Sequence, residues 1–288
     1  MTQSAGPSPV VRFGLRNWPW LSLLVLGAVL LAAVFGAALS PWDPNEIDLG
    51  AAFQPPAWAA SGALAHPLGT DNLGRDILGR IIAGARVTVV VALYAILLSG
   101  AVGALAGMVS GFFGRWVDTV IMRVVEIQNS IPSIALALIL AAVLRPGLDT
   151  VVIVIVLTYW SWYARIVRGE VLSLKTRDYV LFARTAGVST PVIFRRHLLP
   201  NIMNTLLVLA TLQVGQVIIF EASLSFLGLG IQQPDVSWGL MLSDARQYIT
   251  NAWWAITMPG IAIMLTCLSA NMFGDWLRDR LDPRLRQL

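Results

Sequence analysis

The side chains able to do chemistry in this sequence fall at two places inside long apolar runs. Glu126, Asn129, Ser130 and Ser133 recur at helical spacing. At ~100° per residue all four fall within an arc of about 100°. Gln213, Gln216 and Phe220 share a second helical face, with Glu221 at its edge. Two carboxylates invite a general acid–base reading. Their runs place Glu126 and Glu221 towards opposite ends of a membrane-spanning thickness, the wrong arrangement for a pair acting on one bond. Lipid satisfies none of these polar groups, so each stripe must face other helices or a watery passage. Interhelical hydrogen bonding and lining of a passage both meet that requirement.

Other chemistries lack their residues. Cys267 is the one cysteine and lies in an apolar run, so no intrachain disulfide or Cys-rich metal site forms. His66 and His197 are far apart in sequence, which argues against a His-based zinc site. There is no Gly-x4-Gly-Lys-Ser/Thr phosphate loop, G-x-S-x-G elbow, H-E-x-x-H or C-x-x-C. Gly228-x-Gly230 lacks the strand–turn–helix setting of a dinucleotide site and reads as a breaker or a bent gate. No catalytic residue, bound metal or resident cofactor is expected.

The elements that position the polar stripes are apolar helices. With 57% hydrophobic and 12% charged residues and a mean hydropathy of +0.72, the chain is unlike a soluble domain, which carries about 25% charge. Residues 1–17 read as a polar tail and 18–39 as a first transmembrane helix. A cleaved signal peptide is the competitor there. The apolar length exceeds the ~7–15-residue signal core and approaches the ~20 residues that span a bilayer. Residues 40–86 are proline-rich and irregular, with a short helix predicted from Thr70 or Asp71 through Asp76 and Arg80. Residues 87–276 form a core of five further spans, at Val87–Val109, Val120–Leu144, Thr150–Ile166, Ile202–Leu224 and Trp253–Asn271. Pro132 kinks the third. Residues 277–288 are a second tail. The fold class is all-α with six transmembrane helices and both termini on one side. Several tryptophans near span ends (Trp18, Trp20, Trp116, Trp160, Trp162, Trp253, Trp254) read as an interfacial belt.

Charge sets the orientation. With the N-terminus cytoplasmic, the inner segments hold Arg12, Arg16, Arg115, Arg123, Arg165, Arg168, Lys175, Arg177, Arg184, Arg195, Arg196, Arg278, Arg280, Arg284 and Arg286. The outer segments hold Arg75, Arg80, Arg86, Arg145 and Arg246. This asymmetry follows the positive-inside rule. It also accounts for the isoelectric point near 9.7 by charge at the cytoplasmic leaflet, with no nucleic-acid groove.

The orientation puts a polar, basic island inside, within the cytoplasmic segment 167–201. Asp178 to Pro200 reads DYVLFARTAGVSTPVIFRRHLLP, two short helices joined at a corner. Gly187 supplies a left-handed helix end. Ser189 or Thr190 caps the next helix, Pro191 fits its first turn and Pro200 ends it.

This island resembles the Glu-Ala-Ala loop of bacterial ABC importer permeases. Ala183, Gly187, Leu199 and Pro200 keep the pattern, while Leu181, Phe182 and His197 stand where Glu, Ala and Ile are expected. Gly69–Arg86, Glu221–Pro234 and Gly274–Arg284 are similar to the dipeptide/oligopeptide/nickel branch of those permeases, so the resemblance covers most of the chain from about His66 onward. It implies a type I importer core in the bacterial inner membrane and a second, homologous permease. It also implies two ATPase subunits that bind ATP and magnesium, and an extracytoplasmic binding protein that delivers substrate. Asp178, Leu181, Phe182, Ala183, Arg184, Gly187 and Pro200 become the coupling loop, with Leu181 and Phe182 as an apolar plug. Short peptides are the expected cargo; nickel chelates or another small solute are the alternative within the branch. An ion-driven secondary transporter, or a membrane-embedded enzyme using Glu126 or Glu221, are the rivals outside it. Neither an inverted repeat nor a companion nucleophile accompanies them.

Overall fold

The computed structural model describes residues 19–281. The polar tail 1–17, Trp18, and Arg284 and Arg286 lie outside the described residues. Within them the helices are α1 (Pro19–Leu39), α2 (Ile77–Phe113), α3 (Arg115–Ser130), α4 (Ser133–Val143), α5 (Leu148–Leu174), α6 (Asp178–Thr185), α7 (Thr190–Ile193), α8 (Leu199–Phe226), α9 (Trp238–Ala245) and α10 (Trp253–Leu281). Helices α1, α2, α5, α8 and α10 are each long and apolar enough to cross a bilayer, and the α3–α4 pair, bent by 92° at its break, adds a sixth crossing where the two count as one span. With 37 residues, α2 is ~55 Å long, longer than the ~40–45 Å of a whole bilayer. It therefore projects beyond the hydrocarbon or tilts within it.

Three sequence expectations need correction. The third span is not one kinked helix: α3 and α4 meet at 92° across Ile131 and Pro132. Proline removes a helix hydrogen bond and forces its predecessor into an extended conformation, and Ile131 is extended accordingly. Ser133 therefore sits on a different helix from Glu126, Asn129 and Ser130, and the four-residue stripe is broken. Second, no helix starts at Thr70 or Asp71. The cap is Asp76, whose carboxylate accepts from the Gly79 amide at 2.7 Å, and α2 runs from Ile77 without interruption. Third, Pro200 does not end a helix. Residues 194–198 form a wider π turn, with the Leu199 amide reaching Phe194 O, and Thr190–Phe226 continues as one rod with Pro200 in the first turn of α8. The wide turn is where the chain adjusts to a proline that lacks an amide donor and crowds the preceding turn.

The spine of the bundle is the α2–α5 pair. Gly103, Gly107 and Gly111 lie four apart on α2 and let the backbones touch: a Cβ on Gly103 would sit 2.4 Å from Trp160 O, and one on Gly107 2.6 Å from Ala164 O. Such close approach is how helices associate in lipid, where apolar side chains gain nothing by leaving their surroundings. Around this pair lies one apolar core, with Val91, Ala95, Val151, Ile155, Val217 and Phe220 buried together. Because α5 extends to Leu174, Trp160 and Trp162 fall at mid-helix and not near its end. Trp254 is buried and donates to Thr70 O at 3.1 Å.

Candidate functional site

The corner between α6 and α7 is built by local backbone chemistry. After α6 the Val188 amide returns to Ala183 O at 3.0 Å and the Gly187 amide to Arg184 O at 3.1 Å. This paired closure needs a left-handed residue. Gly187 supplies it, with φ +75° and open space where a Cβ would project. The turn after α8 repeats the device, with Gly228 at φ +80° and the Leu229 amide on Leu224 O. The sequence placed a corner at Gly187 and a breaker at Gly228; both are there.

Packing then divides the corner into an inner and an outer surface. Val180, Ile193, Leu198 and Ile202 are buried against Ala104, Met108 and Phe112 of α2 and Val167 and Val171 of α5, and Ala183 packs on the edge of this cluster. Phe112 and Phe194 meet edge to face at 5.1 Å, and the Arg184 guanidinium lies 5.2 Å over the Phe112 ring. Facing away are Tyr179, Leu181 and Phe182, the last with 73% of its surface exposed. The expected set thus separates. Leu181 and Phe182 present an outward apolar knob and Gly187 shapes the turn. Ala183 and Arg184 tie the corner back to α2. Asp178, exposed in the first turn of α6, offers its negative charge to the helix N-terminus.

A polar brace that sequence reasoning missed holds the base of the corner. Asp118 on α3 receives Arg168 of α5 at 2.6 Å and the Ser110 hydroxyl of α2. Lys175 donates to Gly111 O at 2.7 Å, and Thr205 of α8 donates to the Glu170 carboxylate. The one available signal was a set of charges just beyond apolar runs, which spacing alone does not pair.

The two polar stripes meet different surroundings. On α3, Glu126 is exposed and, among the described residues, pairs only with neighbouring Arg123 at 3.0 Å. Asn129 accepts from Ser161 of α5 at 3.0 Å, and Gln128 donates to Leu157 O at 2.7 Å, so part of this face stitches α3 to α5. Ser130 bonds its own helix at Ile127 O, and Ser133 is exposed at the start of α4. On α8, Gln216 is exposed, while Gln213 and Glu221 are buried at 1% each and Phe220 stacks edge-on against Tyr159. One Glu221 oxygen accepts from Ser225 at 2.7 Å, with the Ser237 hydroxyl also near the carboxylate, and both Gln213 amide atoms lack a hydrogen-bond partner among the described residues. The geometry does not bring the α3 and α8 groups into one cluster.

The end opposite the corner is locked by charge. Asp71 accepts from the Arg75 and Leu73 amides, from Arg75 Nε at 2.7 Å and from Arg80. Arg75 continues to Asp244 of α9 at 3.2 Å. Trp238, at the start of α9, donates to Ile81 O at 2.9 Å. The Gly69–Arg86 motif is thus a clasp between α2 and the α8–α10 connection.

These features define a polytopic helical bundle with a short two-helix corner at one end. Residues 103–287 match the family described as "Binding-protein-dependent transport system inner membrane component", and residues 15–56 match the "N-terminal TM domain of oligopeptide transport permease C". The chain belongs to this family of ABC importer permeases, multi-pass proteins of the inner membrane. It is a transport component and not an enzyme, since ATP hydrolysis in such importers belongs to separate subunits. It is 40% identical over 264 residues to the di/tripeptide transport system permease protein DppC of Pseudomonas aeruginosa, covering 92% of this chain and 87% of that one. It is 39% identical to the nickel transport system permease protein NikC of Escherichia coli, covering 92% and 94%. In fold it is similar to a chain of the inward-facing MetNI methionine ABC transporter, with a TM-score of 0.59, 17% identity, and coverage of 72% of this chain and 98% of that one.

Proposed function

We propose that this chain forms half of the translocation path of an ATP-driven importer for short peptides. A homologous permease forms the other half, an extracytoplasmic binding protein delivers the cargo, and two ATPase subunits, which hold ATP and magnesium, drive the cycle. The observation that carries this reading is the corner, a packed turn whose outward face carries Tyr179, Leu181 and, most exposed of the three, Phe182. A subunit that closes on ATP can push such a knob and move α5 and α8, into which the corner is packed. This is coupling between two sites through a bistable element. Both termini and the corner are then cytoplasmic. The broken α3–α4 crossing leaves Trp116, Val120, Val124, Ile127, Ile134 and Ile139 exposed on one chain, which supports a partner permease there with Glu126, Ser133 and Gln216 towards the path.

Peptide is preferred to a nickel chelate because relatives named for di/tripeptide, D,D-dipeptide or dipeptide transport recur at 36–40% identity. Among the described residues, no three His, Cys, Asp or Glu side chains gather as a metal site. The test is to purify the tagged chain with its membrane partners in mild detergent and reconstitute it with ATP inside the vesicles and the co-purified binding protein outside. ATP-dependent uptake of a labelled dipeptide is expected. Uptake of a nickel chelate alone would move the cargo; uptake driven by an ion gradient without ATP would overturn the importer mechanism.

A further inference from the structure

A cavity of about 470 Å³ lies at the end opposite the corner, between the end of α1, the first turns of α2 and the Pro234–Val236 segment. Neither the corner nor the proposed path uses it. Its walls are of two kinds. Ala33 of α1 and Ile82 and Val87 of α2 make an aliphatic side, whereas Arg86, Asp43 and Asp235 make a charged rim. Arg86 is exposed and forms no ion pair with any described residue. It is also the last charge on α2 before the uncharged stretch Val87–Gly114, which places its guanidinium where hydrocarbon gives way to headgroups. Trp42 lines the same cavity and donates to Ala65 O at 3.0 Å, an aromatic suited to that depth. The mouth is held in shape by Asn45, whose side chain donates to Pro234 O at 3.1 Å.

We propose that this cavity holds one phosphatidylethanolamine molecule from the adjoining leaflet. The phosphate sits on Arg86, the ammonium lies between Asp43 and Asp235, and an acyl chain runs down the aliphatic wall. Two carboxylates against one guanidinium give the rim a net negative charge, so an ammonium-bearing headgroup is attracted where a glycerol headgroup is not. Ethanolamine can also donate hydrogen bonds to both carboxylates, which choline cannot. A free peptide zwitterion would match the rim but leave the aliphatic wall uncovered. This inference does not depend on which cargo the importer carries.

The test uses the full chain, purified in detergent, stripped of lipid and titrated by native mass spectrometry. The probes are phosphatidylethanolamine, phosphatidylcholine and phosphatidylglycerol with identical acyl chains. One phosphatidylethanolamine is expected to be retained in preference to the others. Arg86→Gln should weaken it about tenfold through loss of a charge-assisted hydrogen bond, and Arg86→Lys should restore most of it. The double variant Asp43→Asn/Asp235→Asn should bind phosphatidylglycerol as well as phosphatidylethanolamine. Circular dichroism melts confirm that each variant is folded. Equal binding of the lipids by the unaltered chain, or no effect of Arg86→Gln, overturns the proposal. Displacement of the lipid by millimolar dialanine also overturns it, and would assign the cavity to peptide.

Discussion

The two ends of this molecule solve opposite problems. At one end, Asp71, Arg75, Arg80 and Asp244 form a mostly buried charge network, and Trp238 and Trp254 add side-chain bonds to backbone carbonyls across more than 150 residues of sequence. At the other end, the corner rests on apolar packing, a left-handed glycine and a part-buried polar brace at its base, with its most exposed apolar side chain, Phe182, turned outward. The clasp is costly to open because removing one partner of a buried pair strands the others. The corner can lose the Phe182 ring with little effect on the fold, because that residue leaves 73% of its surface exposed. Buried charge is concentrated at one end, and the exposed apolar face proposed for docking lies at the other.

Substitutions across the two ends should show the contrast, with effects on stability falling as effects on transport rise. The largest loss of stability is expected for Asp71→Ala, which leaves Arg75 and Arg80 short of a carboxylate at 3% and 1% exposure. A destabilisation of about 3–5 kcal/mol follows, read as a lower thermal midpoint in detergent. An unchanged midpoint would show that Asp244 alone satisfies both arginines. Next comes Gly107→Val on the spine, where the new atoms meet Ala164 O and Val167; overpacking there costs about 1–3 kcal/mol.

At the corner, a Cβ on Gly187 would meet open space, so Gly187→Val is opposed mainly by the left-handed backbone, by about 1–2 kcal/mol for an ordinary residue and more for a β-branched one. Peptide uptake should nevertheless collapse, because α6 and α7 then meet at another angle. Normal uptake would show that the angle is irrelevant to coupling. The smallest structural effect belongs to Phe182→Ala, within about 0.5 kcal/mol of the parent. Docking of an ATPase subunit should weaken by about tenfold or more if this ring is the buried centre of that contact. Unaltered association in a pull-down would remove the knob from the interface and leave Leu181 or Tyr179 to carry it.

Much of the corner was legible in the sequence because its determinants are local. A helix-forming stretch, a glycine, a Ser-Thr-Pro start and a basic margin lie within a few residues of one another, and each acts on its own backbone. Pro200 was misjudged because its consequence depends on the turn before it. The chain widened residues 194–198 into a π turn and carried the helix on into α8. The stripe on the third span failed for a related reason, since a helical wheel assumes one straight helix and Pro132 divides it at 92°.

Composition and hydropathy, unaided, determined that this chain is a helical membrane protein with about six crossings and a polar corner, because lipid admits helices whose backbone bonds are satisfied within the segment. Local residue types determined where several helices begin and end. Only the tertiary structure decided which charges meet. Arg75 and Asp244 are 169 residues apart, and Asp118 and Arg168 are 50 apart. Nothing in a one-dimensional pattern selects those partners from the other charges at the same end. That choice follows from how α2 seats against α5 and α9, through glycines that a sequence shows only as small residues and a fold uses as points of contact.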